Sequence, residues 1–153
     1  LDKSPLLPMV SEYVHSKGYP ITWIPYFQAP GYTEWREKGF DLAWYQPNYF
    51  FYNVPESQIK TACEQAQANG MGMEMELDER ASVKPLWGDK SLDYKLRAYM
   101  KTFKECGAWA NCQLAYYQDT HAVRHLKDSS DPRDVELYQD LCDFIAKRPY
   151  RNK

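Results

Sequence analysis

Glu74, Glu76 and Asp78 alternate with Met73, Met75 and Leu77 in the stretch Asn69–Glu79, NGMGMEMELDE. A two-residue period belongs to a β-strand, so the carboxylates share one face and the apolar side chains the other. On an exposed antiparallel sheet that acidic face would simply meet water. Helical patterns flank each strand-like run in this chain, which predicts instead a parallel, covered sheet with its apolar face on helices and its acidic face inward. Buried carboxylates are rare without partners or a purpose. A row of them running to the carboxyl rim of a barrel would suit catalysis, because that rim is where barrel enzymes place their chemistry. Glu76 lies near the strand end, Glu74 one layer deeper, and Asp78 at the rim itself.

His121 and His125 are the other candidates for chemistry. Four apart, they would share a helical face and, with Asp119 or Asp128, could hold a metal. Arg124 stands between them, and an exposed loop is the favoured account, so no metal is assigned. The chain has no phosphate-binding glycine fingerprint and no GxSxG elbow. Nucleotide use and serine-hydrolase chemistry are therefore disfavoured, and no cofactor is expected.

The elements that must position these residues can be read in order. Leu6, Met9, Val10, Tyr13 and Val14 recur at helical spacing, with Gly18 as the stop. Ile21–Phe27, ITWIPYF, reads as a strand despite Pro25. A short helical piece over Thr33–Lys38, closed by Gly39, leads to a second strand over Asp41–Pro47. The aromatic loop Asn48–Asn53 precedes a helix with Pro55 near its first turn and Ile59, Ala62, Cys63 and Ala66 on one face. After the acidic strand, the polar loop Arg80–Lys90 carries Trp87 and is long enough to reach over a site. Leu92, Leu96, Tyr99, Met100, Phe103 and Cys106 mark the next helix, which Gly107 can end. Gln113–Asp119 is the fourth strand, followed by the loop THAVRHLKDSSD. The last helix takes Asp131 as N-cap and Pro132 in its first turn, with Val135, Tyr138, Leu141, Cys142 and Ile145 as its buried stripe. A basic tail, RPYRNK, closes the chain.

One helix followed by four strand–helix units implies right-handed crossovers and a parallel sheet. A complete eight-unit barrel needs about 250 residues. The 153 residues here are expected to form one α/β domain over 1–153, a parallel four-stranded (β/α) half-barrel corresponding to the last four units of a TIM-type barrel. A compact open four-stranded sheet is the rival arrangement.

Composition narrows the classes further. A net charge of −2 and a pI near 5.9 provide no broad basic surface, which argues against nucleic acid. No run of 18 apolar residues exists, so no membrane span is expected. The start LDKSPLLPMV lacks the regions of a signal peptide, and a soluble mature chain is expected. Cys63, Cys106, Cys112 and Cys142 lack CxxC spacing, which disfavours zinc and leaves the redox compartment open.

The runs IPYFQAPGY (Ile24–Tyr32), GFDLAWYQPNYFF (Gly39–Phe51) and GMGMEMELDE (Gly70–Glu79) resemble the bacterial domain-of-unknown-function family numbered 4855. The resemblance is carried by the middle of the chain and extends by element order to its end. It implies a barrel related in layout to glycoside hydrolases, in secreted, periplasmic or cell-surface proteins of bacteria that process polysaccharides. In such a barrel the four strands would be the fifth to the eighth. The acidic strand would then be the seventh, where many retaining glycosidases of barrel fold carry their nucleophile. The first half, whose fourth strand would supply the acid/base, is not in this sequence.

Under that resemblance the chain is a glycoside hydrolase acting on a polysaccharide or oligosaccharide. Glycosidases need one protonated and one ionised carboxyl group. Glu76 is assigned as the ionised member, with Glu74 and Asp78 as the other candidates. Residues two apart on a strand are separated by roughly 6.5 to 7 Å, which suits an inverting pair by distance, although parallel projection makes opposed strands the more natural source. Sugar rings present apolar faces edged with hydroxyls, so their clefts combine aromatic platforms with amides and carboxylates. Gln28, Gln46, Asn48, Gln118 and Asp119 fall at or just past strand ends, beside Tyr26, Trp44, Tyr45, Tyr49 and Tyr117. Gln28, Gln46, Asn48, Tyr49, Trp87, Tyr117, Gln118 and Asp119 are accordingly the expected substrate contacts, while Trp23 and Trp35 belong to the core. The alternative is a barrel that binds carbohydrate through Trp44, Tyr49 and Trp87 without catalysis, its interior glutamates serving as ion-pair or hydrogen-bond partners. Either way the open edges of a half-barrel call for a partner, the missing first half or a second copy of the chain.

Overall fold

The computed structural model describes residues 5–149, which leaves most of the basic tail outside the described residues. Helix α1 spans Leu6–Ser16 and stops where Gly18 takes a left-handed φ of 76°. Strand β1 is Thr22–Trp23, much shorter than the expected Ile21–Phe27. Pro25 is the reason: it has no N–H to give to a ladder, so pairing lapses and returns only as a single bridge between Tyr26 and Gln46. The Pro25 carbonyl still accepts from the Gln46 N–H at 2.9 Å. The expected helical piece is a 3-10 turn, Tyr32–Glu34.

Strand β2 is Leu42–Tyr45 and helix α2 is Ser57–Ala68, with Ile59, Ala62, Cys63 and Ala66 fully buried as the periodicity required. Strand β3 is Gly72–Leu77, buried along its whole length, and a 3-10 turn follows over Glu79–Ala81. Helix α3 is Asp93–Glu105, and a short helix α4, Ala108–Asn111, follows Gly107 where the sequence indicated only a stop. Strand β4 is Leu114–Gln118. The segment expected as an exposed loop is helix α5, Ala122–Asp128. Ala122 and Leu126 explain the difference: they are buried, and one helical turn puts both on the same side. Helix α6 is Pro132–Ala146, with Asp131 capping the Arg133 N–H as expected.

The strands form one curled parallel sheet in the order β1-β2-β3-β4, a half-barrel. Its register sets Trp44 beside Gly72, and Glu74 and Glu76 beside Ala115 and Tyr117. Position 72 has room for glycine alone, since a Cβ there would lie 2.6 Å from both the Gln113 carbonyl oxygen and Trp44 Cδ1. Met73, Met75 and Leu77 enter a core shared with Ile59, Leu96, Phe103 and Phe144.

The buried stripe of α6 is Asp134, Leu137, Leu141 and Phe144; of the expected set Leu141 is buried, Tyr138 and Cys142 are partly buried, and Val135 and Ile145 are exposed. The helix is turned by about one residue because Asp134 is drawn inward by hydrogen bonds from the Ser82 hydroxyl at 2.7 Å, the Val83 N–H at 2.8 Å and the Ser129 hydroxyl at 2.8 Å. Helix α1 has its apolar residues at helical spacing, yet Leu6, Met9 and Tyr13 are 62%, 64% and 65% exposed. Among the described residues no helix is long and apolar enough to cross a membrane.

Candidate functional site

Glu76 has no accessible surface. Its Oε1 accepts from Gln46 Nε2 at 2.9 Å and its Oε2 accepts from the Tyr99 hydroxyl. Gln46 comes from the end of β2 and Tyr99 from the buried face of α3, so three elements converge on one carboxylate. The Tyr99 oxygen also accepts from the Tyr49 N–H at 3.2 Å. One turn earlier on α3, the Lys95 ammonium donates to the carbonyls of Tyr49 at 2.7 Å, Phe50 at 3.2 Å and Tyr52 at 2.7 Å. Lys95 and Tyr99 thereby fasten the loop that follows β2 over the end of β3. Burial, then the nearby Arg80 charge, hold Lys95 below the ordinary lysine range.

Burial also raises the Glu76 carboxyl, against the lowering effect of Tyr99, Gln46 and the N–H groups of Asn48 and Tyr49. Glu74, one layer deeper, is buried with Oε2 unpartnered. Desolvation first, and then the charge of Glu76, push Glu74 up to about 7. Asp78 is tied differently: its Oδ1 caps the Arg80 N–H at 2.8 Å, and the Arg80 guanidinium reaches its Oδ2 at 2.7 Å. Arg80 also lies 4.3 Å from the centre of the Trp87 ring. Next to it, Glu79 accepts from the His121 N–H at 2.9 Å, from the Thr120 hydroxyl and from Trp87 Nε1 at 3.4 Å. Burial acts to raise Glu79, but the His121 N–H, its own backbone N–H and the Trp87 indole leave it below the usual carboxylate range. The loops after β3 and β4 are thus locked together.

Above Glu76 the carboxyl rim opens into a cleft of about 750 Å³. Tyr26, Phe27, Phe51, Tyr52 and Tyr117 supply its rings, and Gln46, Asn48 and Asp119 its polar groups. Gln46 belongs to both levels, lining the cleft while donating to the buried carboxylate. Three non-glycine residues at this rim have left-handed backbones: Gln28 at φ 59°, Asn48 at 60° and Thr120 at 45°. Such conformations cost about 1 to 3 kcal/mol each and cluster where a site over-determines the chain.

Of the residues expected to contact a substrate, Gln46, Asn48, Tyr117 and Asp119 line the cleft, and Glu76 lies beneath it. Four others do not join the lining. Gln28 is turned to solvent while its N–H donates to the Tyr45 hydroxyl at 2.6 Å. The Tyr49 ring is buried edge-on against Tyr99. Trp87 is 46% exposed but is held over Arg80, and Gln118 accepts from the Val123 N–H at 2.9 Å at the start of α5. The sequence assigns no functional role to Phe51, Tyr52, Lys95 or Tyr99, Tyr99 entering only through the apolar stripe of its helix. Lys95 alone left a signal, a lysine one position before Leu96 on the apolar side of a helix. His121 and His125 lie at α5, and among the described residues no group of three or more His, Cys, Asp or Glu is arranged to hold a metal.

The family model for a domain of unknown function (DUF4855) matches residues 1–143, nearly the whole chain. Neither a curated protein nor a solved structure matches it.

Proposed function

We propose for this chain, which belongs to the DUF4855 family, a carbohydrate-binding function centred on the cleft at the carboxyl rim of its sheet. The observation that carries this reading is Gln46, which turns one face to an aromatic cleft and the other to a fully buried carboxylate. With Nε2 committed to Glu76, its amide oxygen is oriented to accept from a sugar hydroxyl. Tyr117 and Tyr52 offer rings for apolar sugar faces, and Asn48 and Asp119 edge them with hydrogen-bonding groups. The ligand class is an oligosaccharide or polysaccharide, which fits the extracytoplasmic setting implied by the resemblance.

One observation favours glycoside hydrolysis as the second reading. Glu74, pushed up to about 7 by burial and the charge of Glu76, lies beside a second buried carboxyl that burial also raises, and a glycosidase needs one carboxyl of such a pair protonated and the other ionised. Glu76 is then the nucleophile or base, and the sheet corresponds to the last four units of a (β/α)8 barrel. Because both glutamates are buried, and Glu76 is held by Gln46 and Tyr99, binding is the reading that needs no rearrangement.

Calorimetric titration of the full chain with β-glucan, xylan, chitin and pectin oligosaccharides tests the proposal. One of them should bind, and Tyr117→Ala should weaken it about tenfold, the equivalent of roughly 1.4 kcal/mol for a lost ring platform. Absence of binding across the panel would remove both readings. Release of reducing ends that Glu76→Gln abolishes would select hydrolysis.

A further inference from the structure

The back of the sheet carries a second chemical feature, independent of the rim. Cys63 lies on the fully buried face of α2, and Cys106 is the half-buried residue that ends α3. Their thiols are within hydrogen-bonding reach of one another. A second contact fixes the same juxtaposition: Gln67, one turn beyond Cys63 on α2, donates to the Cys106 carbonyl at 2.9 Å. Two residues four apart on one helix thus both meet Cys106, so the helices are in register at this point.

We propose that Cys63 and Cys106 are a disulfide-forming pair that staples α2 to α3 behind the acidic strand when the chain meets a low-molecular-weight disulfide. Cys106 is the attacking sulfur. It is the more accessible of the two, and its hydrogen bond with Cys63 holds its thiol below the ordinary cysteine value, while the same contact and burial raise Cys63. The Cys106 thiolate attacks one sulfur of oxidised glutathione and releases one glutathione thiolate. Cys63 then gives up its proton and attacks the Cys106 sulfur, displacing the second glutathione. Two protein thiols are oxidised to one disulfide, and one glutathione disulfide is reduced to two thiols. Cys112 is the competing partner, being buried and close enough to feel the charge of Cys106 and to be felt by Cys63. Its backbone carbonyl is held by Arg148 at 2.5 Å, and it lies beyond α4 rather than on the face of α2.

The test is treatment of the folded full chain with oxidised glutathione at mildly alkaline pH, alkylation of the remaining thiols, and peptide mapping by mass spectrometry without reduction. A cross-linked peptide pair containing Cys63 and Cys106 is expected, with two of the four thiols lost to alkylation. Cys112→Ala should leave the link intact and Cys63→Ser should abolish it. Because the mapping is done on the unaltered chain, a poorly folding variant does not blunt the test. Glutathione retained on Cys106, a link from Cys106 to Cys112, or four alkylated thiols would each overturn the pairing.

Discussion

Glu74 enters the buried side of the sheet with one oxygen unpartnered, and that cost has a measurable pH dependence. Its carboxyl is raised from 4.5 to about 7 in the folded chain, so folding takes up a proton. A group raised in this way contributes fully below pH 4.5, and the contribution is lost as pH climbs through about 7. The span corresponds to about 3 kcal/mol of stability lost from this one group. Glu74→Gln should flatten that dependence, giving a variant more stable than the parent above pH 7 and little changed below pH 4.5. Urea unfolding across this range is the measurement, and parallel curves for the two proteins would show that Glu74 is not the group responsible. Glu76 invites a different substitution. Tyr99→Phe removes the hydroxyl that donates to Glu76 and accepts from the Tyr49 N–H, leaving two buried polar groups short of a partner. A loss of about 2 to 4 kcal/mol is expected from the same unfolding experiment.

At the scale of elements, the acidic strand was legible because a period of two over Met73–Asp78 admits few other structures, and α2 because its apolar positions are all small or β-branched and face one way. What could not be read was any feature set by a distant partner. The α6 face turned because Ser82, Val83 and Ser129 hold Asp134, and nothing in the local pattern of α6 announces them. Helix α5 was obscured by His121, Arg124 and His125, polar residues that hide the short apolar pair Ala122 and Leu126. The cleft was half legible: amides and carboxylates at strand ends were found, but Phe51 and Tyr52 line it only because Lys95 draws three carbonyls of their loop onto α3. Asp134→Ala should therefore act at a distance. It should cost about 3 kcal/mol, since bonds to a buried charge are lost together. Faster amide exchange over residues 82–92, the segment that carries Trp87, should accompany it. Exchange unchanged there would mean that Arg80 and Glu79 hold that loop without Asp134.

At the scale of the whole molecule, the sheet has two open edges and a partly bare inner face. Parallel sheets are ordinarily covered on both sides, and eight strands are the usual number that closes such a barrel. Here β1 and β4 are the edges of a four-stranded sheet, and Ile24, Tyr26 and Tyr117 are exposed, with Tyr26 beside Gln46 and Tyr117 beside Glu76 in register. The apolar residues of α1, beside β1, are exposed as well. A second copy related by a two-fold axis along the barrel would pair β4 of each half with β1 of the other, parallel on both seams, and would bring a second set of concave residues opposite Glu74. Such closure removes the unpaired backbone that makes edge strands sticky. Sedimentation of the full chain should accordingly give a species of twice 18.0 kDa. Ile24→Lys, which puts a charge into the closed interior, should shift it toward the single chain while leaving β2, β3 and their helices folded by circular dichroism. A parent chain that sediments at 18.0 kDa and melts cooperatively would overturn the pairing. It would also leave the rim cleft as a site built by one half-barrel alone.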